Sequence, residues 1–164
     1  MSLAIPVDDL IRWNDLTAQQ WHKHLHAHPA LLAVPCDVRN SSNIAQVFQH
    51  IVAVELRYAQ RLAAHPESSY DEVPFGSPDE IFATHQRALD LIRPLLADAT
   101  YNWDQPLDLQ TMTAGKLRAT RRDVLLHLLL HSIRHYAQLA TQARAAGFAP
   151  TWPMDFLMLN AERI

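Results

Sequence analysis

The stretch HLLLHSIRHYAQ, residues 127–138, sets His127, His131 and His135 four positions apart in a run of apolar residues. An α-helix turns about 100° per residue, so residues four apart differ by about 40° in direction and about 6 Å in height. Two histidines at this spacing reach a single ion. His127 and His135, separated by about 80° and about 12 Å, do not. At most two of the three therefore share a metal.

The composition is that expected of an ordinary soluble globular protein. It has 164 residues, is 49% apolar and carries a net charge of −3, which predicts one domain spanning residues 1–164. The basic residues do not cluster, so we expect no nucleic-acid binding. The apolar runs are too short for a membrane span, and the N-terminus lacks a signal-peptide pattern. Cys36 is the single cysteine, which predicts a cytoplasmic protein with nitrogen and oxygen metal ligands.

Helical periodicity dominates the chain and predicts four helices. The first runs from about residue 8 to the HPALL segment at 28–32, where Pro29 kinks or ends it. The second covers about residues 43–65 and starts with an Asn43-x-x-Gln46 capping pattern. Both carry an apolar stripe with a spacing of three and four, so each is expected to bury one face.

The third and fourth helices have clear start signals. Ser77-Pro78-Asp79-Glu80 combines a serine cap, a proline at the first helical position and a glutamate three residues after the cap. Pro94 lies inside this helix and should bend or shorten it. The fourth helix opens at Thr120-x-x-Asp123 and runs to Gly147, which is typical of a C-terminal cap.

Residues 98–119 predict an irregular crossover with a short hairpin that turns at Met112-Thr113-Ala114-Gly115. The tail, residues 150–164, holds Trp152 and Phe156 and is expected to pack back on the helices. Four amphipathic helices with one long crossover predict an all-α four-helix bundle with this hairpin between helices three and four.

The strongest candidate ligands are His131 and His135, which lie mid-helix on the apolar stripe of helix four. His50 flanks the apolar stripe of helix two and supplies a third imidazole. Three nitrogen ligands with open positions are typical of a reactive rather than a structural metal site. The alternative is three core histidines satisfied by hydrogen bonds. Ser132 stands where an HExxH motif places its general base, which disfavours a metalloprotease of that type.

Four further residues are candidates to support this site. Glu55 and Gln138 could orient the ligands, because a ligating imidazole needs a partner for its other nitrogen. Glu55 lies about 140° from His50 around helix two, which favours a neighbouring helix or a salt bridge over the same ion. His85, on the apolar stripe of helix three, and His127 are candidates to line or support the pocket.

A second histidine-rich stretch, HKHLHAH, places His22, His24, His26 and His28 two residues apart. On a helix, successive members point to opposite sides, so at most two pairs form: His22 with His26, and His24 with His28. We expect a solvated or interface face here rather than a metal site.

Two motifs resemble the DinB/YfiT-like family of metalloenzymes. One is His50-Ile51-x-x-x-Glu55-x-x-Tyr58, and the other is His131-x-x-x-His135-Tyr136-Ala137-Gln138. The segment AGFAPTWPMDFL at 146–157 is also similar to the family's C-terminal end. The resemblance spans most of the chain, but its specific part is the two short motifs. Tyr136-Ala137 replaces the commoner Arg-Gly, which leaves the ligand pattern intact and puts the role of that arginine in doubt.

This resemblance implies a bundle with up-down-down-up helix order and a divalent metal held by His50, His131 and His135. It also implies a homodimer. Some members of the family transfer low-molecular-weight thiols or isomerise thiol adducts, which implies a small-molecule substrate, with such a thiol as one candidate. We expect zinc or nickel first and iron or copper as further possibilities, because all-imidazole shells suit each of these metals.

The leading functional hypothesis is therefore a metal-dependent enzyme, thiol S-transferase-like or hydrolase-like. No nucleophile or strong general base is evident beside the three ligands, so no catalytic residue is assigned. One alternative is a non-catalytic metal-binding or stress-response bundle protein. A third hypothesis is an interaction module whose histidines are satisfied by hydrogen bonds.

Overall fold

The protein is mostly helical, with a small antiparallel sheet. The structure is a computed structural model that describes residues 6–38, 41–111 and 115–162. In chain order its elements are α1 (Val7–Ala27), α2 (Ile44–Leu62), α3 (Pro78–Ala97), β1 (Pro106–Thr111), β2 (Gly115–Thr120) and α4 (Arg121–Ala145). Single 3₁₀ turns occur at Pro29–Ala33, Tyr70–Glu72 and Phe156–Leu159. The expectation of a strictly all-α fold is therefore corrected, because the hairpin forms a true two-stranded sheet.

The helix starts follow from local capping. The side chain of Asn43 accepts a hydrogen bond from the Gln46 amide at 3.0 Å, and Ser77 accepts one from the Glu80 amide at 3.3 Å. Thr120 and Asp123 form a reciprocal capping box at the start of α4. These side chains satisfy amides that the first turn of a helix leaves without partners.

The two prolines predicted to disturb helices behave differently. Pro29 follows the end of α1 and opens a 3₁₀ turn. Pro94 lies within α3, which continues to Ala97. Pro94 has no amide hydrogen to donate to the carbonyl of Asp90, and the helix ends three residues after it.

The helices enclose two groups of buried apolar side chains. One centres on Trp21, Phe48 and Tyr136, and the other on Leu56, Leu89 and Leu128. Between them, α2 packs against both α3 and α4. The facing surfaces of α2 and α4 also carry buried polar residues, and the candidate site lies there.

The hairpin covers one end of the gap between α2 and α4. Its strands pair from Pro106 opposite Thr120 to Thr111 opposite Gly115. Leu109 is buried against the second apolar group, which fixes the hairpin on the helices. The expected turn residues Met112, Thr113 and Ala114 lie outside the described residues.

The C-terminal tail packs on α1. The indole Nε1 of Trp13 donates to the carbonyl of Met154 at 2.9 Å, and its ring meets Phe156 edge-on at 5.3 Å.

Within the described ranges, no helix combines the length and apolar character needed to cross a membrane.

Candidate metal centre

His50, His131 and His135 come together between α2 and α4. One ligand atom from each lies within 4.8 Å of those from the other two, and all three residues are buried. Nε2 of His50 and Nε2 of His131 are 3.0 Å apart. Two imidazole nitrogens bound to one zinc at about 2.1 Å lie about 3.4 Å apart in a tetrahedral shell. This group is therefore positioned to hold a metal ion.

The outer nitrogens of two of these imidazoles have partners. Nδ1 of His135 lies 2.6 Å from Oε1 of Gln138, and Nδ1 of His50 lies 2.7 Å from the Tyr70 hydroxyl. Because Nδ1 of each ring is engaged in this way, Nε2 is the nitrogen directed toward the other two histidines. Nδ1 of His131 is buried with no hydrogen-bond partner among the described residues. Hydrogen-bonded outer nitrogens are the usual support of metal-bound histidines.

The electrostatics keep His131 neutral. Burial lowers the pKa of His131 to about 2, and the positive charge that His135, His50, His127 and Arg134 can carry adds to the effect. A protonated imidazole has no lone pair for a metal, so the neutral form is the ligating one. The chemistry of these three donors thus fits a divalent transition metal.

Glu55 contacts side chains other than the three histidines. Its carboxylate lies 2.7 Å from Nδ1 of His85 on α3 and accepts a hydrogen bond from the Ser132 hydroxyl at 2.6 Å. Asp15 lies 3.4 Å from the other ring nitrogen of His85. Burial alone would lower the pKa of His85, but Glu55 and Asp15 raise it to about 9. Glu55 therefore links α2 to α3 through its ion pair with His85, and to α4 through its hydrogen bond from Ser132, the residue that follows His131.

A cavity of about 610 Å³ adjoins the histidines. His50 and His131 form part of its wall, and the hairpin residues Leu109 and Leu117 lie on it as well. His127 lines the same space, with its ring 5.5 Å from that of His131. Burial, and then the charge of Arg134, lowers the pKa of His127. His127 is thus a wall residue of the cavity beside the three-histidine group.

Sequence reasoning missed several polar residues of this cavity. Arg57 and Arg61 follow His50 along one face of α2, near Tyr58 of the quoted motif, and Tyr70 comes from the segment after α2. On α2 the spacing of the residues could have indicated these positions. His50, Val54, Arg57 and Arg61 follow one another at steps of three or four, which places them on one side of the helix. Tyr70 gave no comparable signal, because it lies in an irregular segment.

Arg134 is the other missed residue, although it lies within the histidine motif itself. Its guanidinium is 3.3 Å from Nε2 of His135, and it lines the cavity. Arg57 and Arg61 pair with Glu67, whereas Arg134 has no acidic partner within the described part of the chain. The part of the cavity wall beside the three histidines therefore carries the positive charge of Arg134.

Four helices, a hairpin before the last one, and a buried three-histidine group define a helical protein with a candidate metal centre. A family model of the DinB superfamily matches residues 8–139, and the chain belongs to that superfamily. No curated protein sequence matches the chain.

Proposed function

We propose that this protein is a metal-dependent enzyme whose ion is held by His50, His131 and His135. The single observation that carries the proposal is the burial of these three imidazoles around one point, beside a cavity of about 610 Å³. A structural site closes its ligand shell with protein groups, whereas three ligands next to a cavity leave room for a substrate. A bound divalent ion would lower the pKa of a water or thiol toward neutrality.

The residues around the ligands have separable roles in this proposal. Gln138 and Tyr70 hold the rings of His135 and His50 with Nε2 turned inward. Arg134 places a positive charge beside them, where it would attract the negative group of a substrate. The apolar hairpin residues Leu109 and Leu117 limit the access of water. The substrate is a small molecule, and a low-molecular-weight thiol is our first candidate.

The reaction class is thiol S-transfer or hydrolysis, and the chemistry of the cavity favours the first. Glu55 is committed to His85 and Ser132, so it does not offer a general base to the cavity. Asp123, the acidic residue among the described residues of the cavity wall, accepts hydrogen bonds from the amide and the hydroxyl of Thr120 at the start of α4. Hydrolysis benefits from a base that accepts the proton of water, whereas a thiol ionises far more easily.

The second candidate is a non-catalytic metal-binding protein of the same fold. The observation that favours it is that Glu55 binds His85 and Ser132 and Asp123 binds Thr120, so that no carboxylate among the described residues of the cavity is left to assist the metal. The two candidates differ in turnover but not in metal binding.

Two measurements test the proposal. Tag-free protein is purified without added metal and analysed for elements, then loaded and assayed with thiols, electrophiles and esters. We expect about one buried metal site, lost in His131→Ala and kept in His127→Ala, with turnover of a thiol substrate that follows the metal. The same number of bound metal equivalents in His131→Ala as in the wild type would contradict the site. Binding without turnover on the panel would support the non-catalytic candidate.

We also propose the up-down-down-up helix order for the bundle. In support, Asp15 meets Arg93 while His22 meets Asp79, as in an antiparallel pair of α1 and α3. On α2 and α4, His50 meets His131 while Tyr58 meets His127, again in opposite directions. On α1 and α4, Asn14 meets Leu129 while Trp21 meets Tyr136, in the same direction, which distinguishes this order from up-up-down-down. A homodimer in the cytoplasm completes the proposal, and size-exclusion chromatography with light scattering tests the dimer.

A further inference from the structure

The second histidine-rich stretch forms a compact group with one carboxylate. His22 and His26 lie four residues apart near the end of α1, and Asp79 lies in the first turn of α3. Nε2 of His22 is 2.8 Å from Oδ1 of Asp79, and Nε2 of His26 is 2.9 Å from the same oxygen. The two nitrogens are 3.2 Å apart. Three potential ligand atoms from two helices thus converge on one small space.

These separations match the ligand spacing around a metal ion. With bonds of about 2.1 Å, neighbouring ligand atoms lie about 3 Å apart in an octahedral shell and about 3.4 Å apart in a tetrahedral one. The three separations match the octahedral spacing, and zinc, whose d-electrons impose no geometry, is suitable as the probe ion. Two histidines four apart on a helix are a common chelating pair, because their rings lie on one face one turn apart. Divalent transition metals are known to bind a set of two imidazoles and one carboxylate that occupies one face of the coordination shell.

A carboxylate oxygen has two lone pairs and can accept a hydrogen bond from both rings. The two ring nitrogens that face Oδ1 of Asp79 are then only 3.2 Å apart, the separation of two ligands of one ion. Replacing the two protons by one cation lets both nitrogens and the oxygen act as donors of lone pairs.

We infer that His22, His26 and Asp79 form a second binding site, at the surface, for a divalent transition-metal ion such as zinc. The side chains are 34%, 53% and 73% exposed, so the remaining coordination positions face solvent. The site joins α1 to the start of α3, across more than fifty residues of chain. An ion that binds only when these helices are packed stabilises the folded state.

The neighbouring pair His24 and His28 provides an internal comparison. Their rings have the same four-residue spacing and lie 4.7 Å apart, but Nε2 of His24 meets the carbonyl of Phe148 instead of a carboxylate. The two pairs therefore share the same spacing. They differ in their partners, because His22 and His26 contact the carboxylate of Asp79 whereas His24 contacts a carbonyl.

The experiment is a zinc titration of the full-length, tag-free protein by calorimetry, with stoichiometry as the readout. The variants His26→Gln and Asp79→Asn are matched with His28→Gln and Glu80→Gln, which change the same helix ends outside the group. We expect each of the first two to lose one equivalent of zinc and the controls to keep it. Loss of the equivalent in a control as well, or its retention in both test variants, would overturn the inference.

The same titration in His131→Ala separates this site from the buried one. We expect zinc to raise the melting temperature of His131→Ala by several degrees, and Asp79→Asn in that background to abolish the rise. A missing buried site would leave this result unchanged, so the two proposals fail independently. Zinc-dependent shifts of the His22 and His26 ring signals in NMR spectra are the local readout. Shifts confined to other histidines would contradict the assignment.

Discussion

Gln138 lies one turn beyond His135 on α4, and its side-chain oxygen is 2.6 Å from Nδ1 of that ring. An amide oxygen only accepts hydrogen bonds, so Nδ1 carries the proton and Nε2 carries the lone pair. The contact therefore sets the tautomer that a metal requires. The same helix thus supplies both a proposed ligand and the group that orients its ring.

Gln138→Ala should weaken metal binding about 10–100-fold, because partners of ligating imidazoles contribute on this scale. Competition with a chromogenic chelator measures the affinity. Gln138→Glu keeps an acceptor at the same place and should retain most of the affinity, while Gln142→Ala, one turn further along, is the control. Equal affinities for Gln138→Ala and the wild type would show that Gln138 does not orient the ligand.

Arg134→Gln should remove a preference for negatively charged thiols. In cobalt-loaded protein, thiolate binding is followed by absorbance with mercaptoacetate, 2-mercaptoethanol and cysteamine, which carry negative, neutral and positive groups. We expect the wild type to bind mercaptoacetate best and Arg134→Gln to bind it about tenfold more weakly, since a charged hydrogen bond contributes about 1.5–3 kcal/mol.

Arg144→Gln, which changes an arginine near the end of the same helix, is the control for this experiment. It should leave the order of the three thiols unchanged. A wild-type protein that binds all three equally would contradict the role of Arg134, whereas failure to bind any thiol would contradict the proposed substrate class.

His85 should make stability depend on pH. Its pKa is raised from 6.5 to about 9 in the folded state, so its contribution is complete below about pH 6.5 and is lost as the pH rises through about 9. The free energy of unfolding in urea should therefore fall between pH 6.5 and 9, by up to about 3 kcal/mol. His85→Gln should show a smaller fall over this interval, and an identical fall would contradict the assignment.

Ser132→Ala should destabilise the fold by about 1–3 kcal/mol, because the buried carboxylate of Glu55 loses a hydrogen bond. Thermal and urea unfolding measure the change. Thr141→Ala is the matched control, since its hydroxyl bonds the carbonyl four residues back but lies at the surface. A loss at Ser132 no larger than at Thr141 would show that Glu55 does not depend on it.

Much of the local structure could be predicted from the sequence. The caps at Ser77 and Thr120 place the starts of α3 and α4, and the crossover contains the expected hairpin. These features depend on residues a few positions apart, so the chain near each site contains the necessary information. The exclusion of His127 from a metal shared with His135 rests on helix geometry alone.

The partners of these residues could not be predicted in the same way. Glu55 meets His85 and Ser132 only because particular faces of α2, α3 and α4 pack together. His50 meets Tyr70 only because the segment between α2 and α3 folds back on α2. Periodicity indicates which face of a helix is buried but not which residues of another helix lie opposite it.

The sequence by itself determined four helices, a pair of histidines on one face of α4 and a third candidate on α2. The tertiary structure decided that these three imidazoles meet beside a cavity, and that Asp79 joins His22 and His26. The physical reason is the range of the interactions involved. Helix formation and capping act within a few residues, whereas a ligand set built from different helices exists only after their apolar faces have packed.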